Sequence, residues 1–153
     1  MKPLLNVEQG SHGWGLSFRL STAVLSEATS EIEALGIEVK EYFVLDGVDL
    51  LPYPAQIAER LSISRPAVAL HLRNLERKGL LQRAVEPTDL RRFRLSLTAE
   101  GRAVADEARQ ILSEKFCKRL DRLSAVEREA FSAILTTLVA EGRDTQTGDQ
   151  TAR

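Results

Sequence analysis

A single cysteine, Cys117, is all the thiol chemistry the chain has. One cysteine excludes an internal disulfide framework and suits a reducing compartment. No apolar run approaches the length of a membrane span. Residues 1–20 lack the unbroken apolar core of a signal peptide, so a cytoplasmic location is expected, with no membrane partner. G-x-S-x-G, H-E-x-x-H, C-x-x-C and a glycine-rich phosphate loop are all missing. Only His12 and His71 stand beside Cys117 as metal-ligand types, at spacings that do not form a set. Neither enzyme, metal nor cofactor is therefore expected. Aromatics make up only 5% of the 153 residues. The core must then come from Leu, Ala, Ile and Val, as in a helical protein, and 43% hydrophobic content is enough to build one.

Net charge is nearly absent too, at -1, but its distribution is uneven. Between Arg60 and Arg94 nine basic residues face three acidic ones, a local excess of six positive charges. The remainder of the chain carries a net seven negative charges. A basic block on acidic flanks fits a module that contacts nucleic acid.

What is present is helical periodicity, interrupted once. Leu16, Leu20, Val24, Ala28, Ile32 and Leu35 predict a long helix over about 14–35, stopped by Gly36. A shorter helix is expected from Ile37 to Asp46, closed by Gly47. Ala55 to Leu61 predicts a third helix, with Pro54 in its first turn and Ile57, Ala58 and Leu61 inward. Ile63 plugs the following turn. Ser64 is an N-cap and Pro66 suits a helix start, so a fourth helix runs to about Lys78 on the stripe Val68, Leu72, Leu75 and ends at Gly79.

A strand is expected from Leu80 to Glu86, a turn at Pro87-Thr88-Asp89, and a return strand. There Phe93, Leu95 and Leu97 pack while Arg92, Arg94 and Ser96 face out. Thr98 opens a long helix to Arg122, with Val104, Ala108, Ile111 or Leu112, Phe116, Leu120 and Leu123 as its stripe and Cys117 on its apolar side. Ser124 and Glu127 form a capping-box pattern for a last helix, with Phe131, Ile134, Leu135 and Leu138 apolar, ended by Gly142. The polar stretch 143–153 is expected to be disordered.

The order is that of a winged helix-turn-helix: mostly α with a small β-hairpin. Residues 37–98 would form the DNA-binding lobe, and 1–36 with 99–142 long N- and C-terminal dimerisation helices. Their apolar stripes are wider than the central lobe needs, which favours a homodimer over a monomer that buries them internally. The fourth helix would enter the major groove of double-stranded DNA. Arg65 and Arg73 suit guanine edges or phosphates, and Pro66, Ala67, Ala69 and Leu70 apolar contacts such as a thymine methyl. The Ser64 hydroxyl and the helix-start N–H groups offer a phosphate site. Base readout and backbone contact stay unseparated at this level. Arg91, with Arg92 and Arg94, would bring the hairpin to the minor groove or backbone. Asp89 either orients Arg91 or makes an Asx-turn. His71 is expected to be partly buried, bonding backbone or phosphate.

These residues resemble the MarR family of bacterial transcription regulators. The likeness runs through Leu45, Ile57-Ala58-Glu59-Arg60-Leu61, Ser64, Val68, Leu75-Glu76-Arg77-Lys78-Gly79-Leu80, Arg83, Asp89, Arg91 and Leu97-Thr98-Ala99-Glu100-Gly101. The spacing from D-x-R to L-T is its most specific part. The resemblance implies a dimeric regulator on a pseudo-palindromic operator, usually a repressor. It also implies release by a small effector, often phenolic, or by oxidation. It makes Arg91 the wing arginine and Asp89 its partner, and puts an effector pocket between the outer helices and the DNA-binding lobe. Candidate pocket residues are His12, Trp14, Phe18, Tyr42 and Phe43. The run Ser64-Arg65-Pro66-Ala67-Val68-Ala69-Leu70-His71-Leu72 also looks like the ArsR family of metal-sensing repressors, without that family's ligand clusters. A winged helix serving as a protein-interaction module is the alternative of a different class.

Overall fold

The computed structural model describes residues 6–87 and 89–140, without the side chains of residues 90–92. The elements run α1 (Val7–Ala34), α2 (Val39–Leu50), α3 (Pro54–Leu61), α4 (Arg65–Arg77), β1 (Leu81–Glu86), β2 (Asp89–Leu97), α5 (Ala99–Leu120) and α6 (Ala125–Val139). The chain divides into two compact units, Met1–Phe116 and Cys117–Arg153, and the division falls inside α5. Residues 143–153, expected to be disordered, and Gly142 lie outside the described residues.

The first unit has one core. Ala28 and Ile32 of α1 meet Tyr42, Val44, Leu45 and Val48 of α2, Ile57 and Ala58 of α3, Val68, Leu72 and Leu75 of α4, and Ala105 and Ala108 of α5. Leu80, Leu81 and Leu95 close it from the hairpin side.

Three helix ends depart from the periodic reading. α1 begins at Val7, about two turns earlier than expected. Asn6 caps Gln9 N–H at 2.8 Å and the Gln9 amide oxygen accepts from Asn6 N–H at 3.2 Å, a complete capping box. α2 spans Val39–Leu50 and passes through Gly47 instead of stopping there. Gly47 is buried beside Ile57, and the real stop is the residue before Pro52, Leu51, at φ -136° and ψ 84°. α5 ends at Leu120, two residues short of the expected Arg122.

The turn between α3 and α4 is closed by local hydrogen bonds. Ser62 adopts a left-handed conformation at φ 52°, unusual for a residue with a Cβ. Ser62 N–H bonds Glu59 O at 3.1 Å and Ile63 N–H bonds Ala58 O at 3.1 Å. Gly79 repeats this closure after α4 at φ 72°, with Leu80 N–H on Leu75 O at 3.0 Å.

β1 and β2 pair antiparallel, Leu81 opposite Leu97, Arg83 opposite Leu95 and Val85 opposite Phe93, with a register shift between Val85 and Glu86. Asp89 belongs to β2, opposite Glu86, and not to the turn. Of the three apolar residues expected to pack from β2, Leu95 is buried and Leu97 half-buried, but Phe93 is exposed. The hairpin reaches beyond the core there, and Val85 and Phe93 cover only each other's flank.

In the second unit Ser124 and Glu127 form the expected capping box. No residue of α6 is buried: Ile134, Leu135 and Leu138 of the predicted stripe are exposed and Phe131 half-buried. Cys117, expected on the apolar side of its helix, is exposed.

Candidate nucleic-acid interface

α4 is held by one face and free on the other. Val68, Leu72 and Leu75 are buried. Arg65, Pro66, Leu70 and Arg73 are exposed, and Ala67 and Ala69 half-buried. All six predicted contact positions of this helix therefore have some access to solvent. Ser64 Oγ accepts from Ala67 N–H at 3.3 Å, so its hydroxyl hydrogen remains for an outside acceptor. Pro66 has no N–H and Val68 N–H bonds Ser64 O at 3.1 Å. The phosphate site at this helix start narrows to Arg65 N–H and the Ser64 hydroxyl.

The basic block is thinner than its sequence count. Lys78 Nζ lies 2.6 Å from Glu41, and Arg83 Nε 2.7 Å from Glu76. Arg65, Arg73 and Arg94 are exposed and make no ion pair among the described residues. Arg91 and Arg92 take backbone positions in β2, and their side chains lie outside the described residues. Asp89 is exposed at the start of that strand.

The wing root is fastened to the linker between α2 and α3. Leu95 N–H bonds Pro52 O at 2.8 Å, and Tyr53 Oη donates to Glu86 Oε2 at 2.9 Å. Neither tie has a sequence signature, because both join residues far apart in the chain.

The candidate effector residues separate. His12, Trp14 and Phe18 are exposed on α1, where Trp14 and Phe18 rings sit 6.1 Å apart. Tyr42 is a core residue, and burial, with the Asp46 charge adding to it, pushes its phenol above the ordinary range. Its ring meets Phe43 at 5.2 Å. Phe43 lines a cavity of about 270 Å³ with Lys40, Leu61, Ile63, Ala67 and His71. His71 is half-buried as expected, and its Nδ1 is buried with no hydrogen-bond partner among the described residues. Among the described residues no three His, Cys, Asp or Glu side chains group to hold a metal, and no helix is long and apolar enough to cross a membrane.

Residues 35–92, the whole helix-turn-helix and most of the wing, match the MarR family. This stretch of the chain is similar to the MarR family over those residues. The HTH-type transcriptional repressor Rv2887 of Mycobacterium tuberculosis is 27% identical over 125 residues, which is 80% of this chain and 90% of that protein. Apo MarR from E. coli superposes with a TM-score of 0.71 at 18% identity, covering 90% of this chain and 99% of that one. MepR of S. aureus, crystallised as a MepR–DNA complex, gives 0.69 at 26% identity, covering 88% and 97%. The fold is thus mostly helical with a β-hairpin wing, like that of these structures.

Proposed function

We propose that this chain is a MarR-family, DNA-binding transcription repressor that acts as a homodimer on a pseudo-palindromic operator and releases it when a small effector binds. The observation that carries the DNA reading is the free outer face of α4. Arg65 and Arg73, two turns apart, stand exposed without ion-pair partners, on a helix whose other face is locked into the core. Its likeness to MepR, solved with DNA, supports the same use. The wing adds Arg91, Arg92 and Arg94 for the minor groove or the backbone, with Asp89 as the partner of Arg91.

Dimerisation is supported by apolar surface that nothing in the described chain covers: Val126, Ile134, Leu138 and Val139 on α6, and Trp14 and Phe18 on α1. A second copy supplies the matching surface and the two-fold symmetry of paired half-sites. The effector reading, for a small molecule of phenolic type, is supported by the cavity beside α4. Phe43, Leu61 and Ile63 give it apolar walls, and Lys40 and His71 give it polar edges.

An electrophoretic shift on the DNA upstream of its own gene tests the central claim. Binding that weakens steeply with salt is expected. A protein that retains no salt-sensitive DNA binding would instead use its basic block on an acidic protein partner. Screening phenolic compounds for release of the bound DNA tests the effector.

A further inference from the structure

Glu41 is the one buried charged side chain among the described residues, with 1% of its surface exposed. It occupies the third position of α2. Its Oε2 accepts the Glu38 N–H at 2.9 Å and Lys78 Nζ at 2.6 Å, and the Asn74 side chain lies beside the same carboxylate. Asn74 and Lys78 lie one turn apart at the C-terminal end of α4. The other grips on that helix are the buried Val68, Leu72 and Leu75 and the partly exposed Glu76–Arg83 pair to β1. Apolar contacts are non-directional, so they hold α4 down without fixing its roll or tilt.

A buried ion pair is a weak device for stability, since an apolar pair of similar size often serves as well or better. What it supplies is direction. We propose that Glu41 is a positioning residue for DNA recognition: through Asn74 and Lys78 it fixes the angle at which α4 presents Arg65 to Arg73 to the bases. The inference rests on the DNA-reading role proposed above.

The lever arm makes the effect large. From Lys78 back to Arg65 the helix rises about 20 Å, so a tilt of about 5° at the Glu41 end moves the other end by about 1.7 Å. A hydrogen bond to a base edge tolerates roughly 0.5 Å. Long arginine side chains on phosphates follow such a shift, whereas base-edge bonds break. Loss of Glu41 therefore falls on sequence discrimination and spares non-specific affinity.

The test uses the full chain and two duplexes, one selected from a random pool by the unaltered protein and one of shuffled sequence. Glu41→Gln keeps an oxygen for the Glu38 N–H and removes the charge. It is expected to raise the Kd for the selected duplex about tenfold to a hundredfold. Affinity and salt dependence on the shuffled duplex should stay as they were, with an unchanged helical circular-dichroism spectrum. Should that variant not fold, Glu41→Gln combined with Lys78→Met removes the stranded ammonium and is read the same way. An unchanged ratio of selected to shuffled affinity overturns the proposal, as does an equal loss on both duplexes. An unaltered protein that enriches no sequence overturns the DNA reading itself, before any variant is compared.

Discussion

Gly101→Ala pits two simple rules against each other, and the geometry decides between them. Gly101 lies in the first turn of α5. Its N–H bonds Thr98 Oγ1 at 2.9 Å, and the Thr98 hydroxyl donates to Gly79 O at 2.8 Å. Helix propensity alone makes alanine better here by about 1 kcal/mol. A Cβ on residue 101, however, would sit 1.8 Å from Leu80 O, 2.7 Å from Leu80 C and 3.1 Å from its Cα. Real Cβ atoms do not approach closer than 3.0 Å. The two backbones must therefore part by about 1.2 Å, and no rotamer can relieve the clash because every atom involved is main chain. Overpacking commonly costs about 1–3 kcal/mol where side chains can yield. Here the net loss should reach at least about 2 kcal/mol after the propensity gain. In a domain of this size that lowers the thermal midpoint by about 4–8 °C. Urea unfolding followed by circular dichroism should show a lower midpoint at an unchanged slope. An alanine variant as stable as the parent refutes the close-approach argument and leaves this part of the L-T-x-x-G motif without a steric reason.

Arg73→Ala should cost about 1–3 kcal/mol on the preferred sequence alone if the side chain reads a base; an equal loss on every duplex assigns it to phosphate. Arg91→Ala should flatten the salt dependence of binding by about one unit of slope, and an unaltered slope removes the wing arginine from the interface. Ile134→Glu with Leu138→Glu puts two carboxylates on the exposed face of α6 and should turn a dimer into a monomer in analytical ultracentrifugation; a dimeric mass would place the two-fold contact elsewhere. Glu41 also predicts an acid limb of stability. Burial pushes its pKa up, but the hydrogen bonds from Lys78 and the Glu38 N–H, with the Lys78 charge, outweigh this and hold it below the ordinary 4.5. A depressed folded value contributes stability above the unfolded pKa that is lost as pH falls through the folded one. The parent should therefore lose stability below about pH 4.5 more steeply than Glu41→Gln, and parallel acid curves would contradict this.

The elements that were legible in the sequence are those whose causes are local. The Ser64 and Ser124 caps, Gly79 after α4, and the stripe Val68, Leu72, Leu75 are fixed by neighbours three or four residues away. Asn6 with Gln9 was equally local, but periodicity drew the start of α1 further in. Gly47 misled because a glycine that ends one helix can lie buried in another, and only the packing against Ile57 distinguishes the two. Phe93 misled for a related reason. Alternation tells which residues share a face, but not where the core beneath that face ends. Glu41 carried no signal at all: a glutamate in a first helical turn reads as solvated, and its partners Asn74 and Lys78 lie 33 and 37 residues away.

The polar ties of α2 suggest how this lobe moves. At its N-terminal end the buried Glu41 joins α4 through Lys78, whose side chain is 38% exposed. At its other end Asp46 and Asp49 reach α5, Asp46 to Arg109 at 2.7 Å and Asp49 to Arg102 at 2.6 Å. These two pairs are largely open to solvent. Exposed pairs each contribute less than about 1 kcal/mol and weaken with salt. Leaving the buried Glu41 carboxylate short of a donor costs more than breaking an exposed pair. The two ends of α2 therefore differ in how firmly they hold. A displacement of α5 can stretch or exchange the aspartate–arginine ties cheaply, while the carboxylate between α2 and α4 stays closed. On these magnitudes α2 and α4 travel together, and any rearrangement that carries a signal to the DNA-reading face yields first at the joint between α2 and α5.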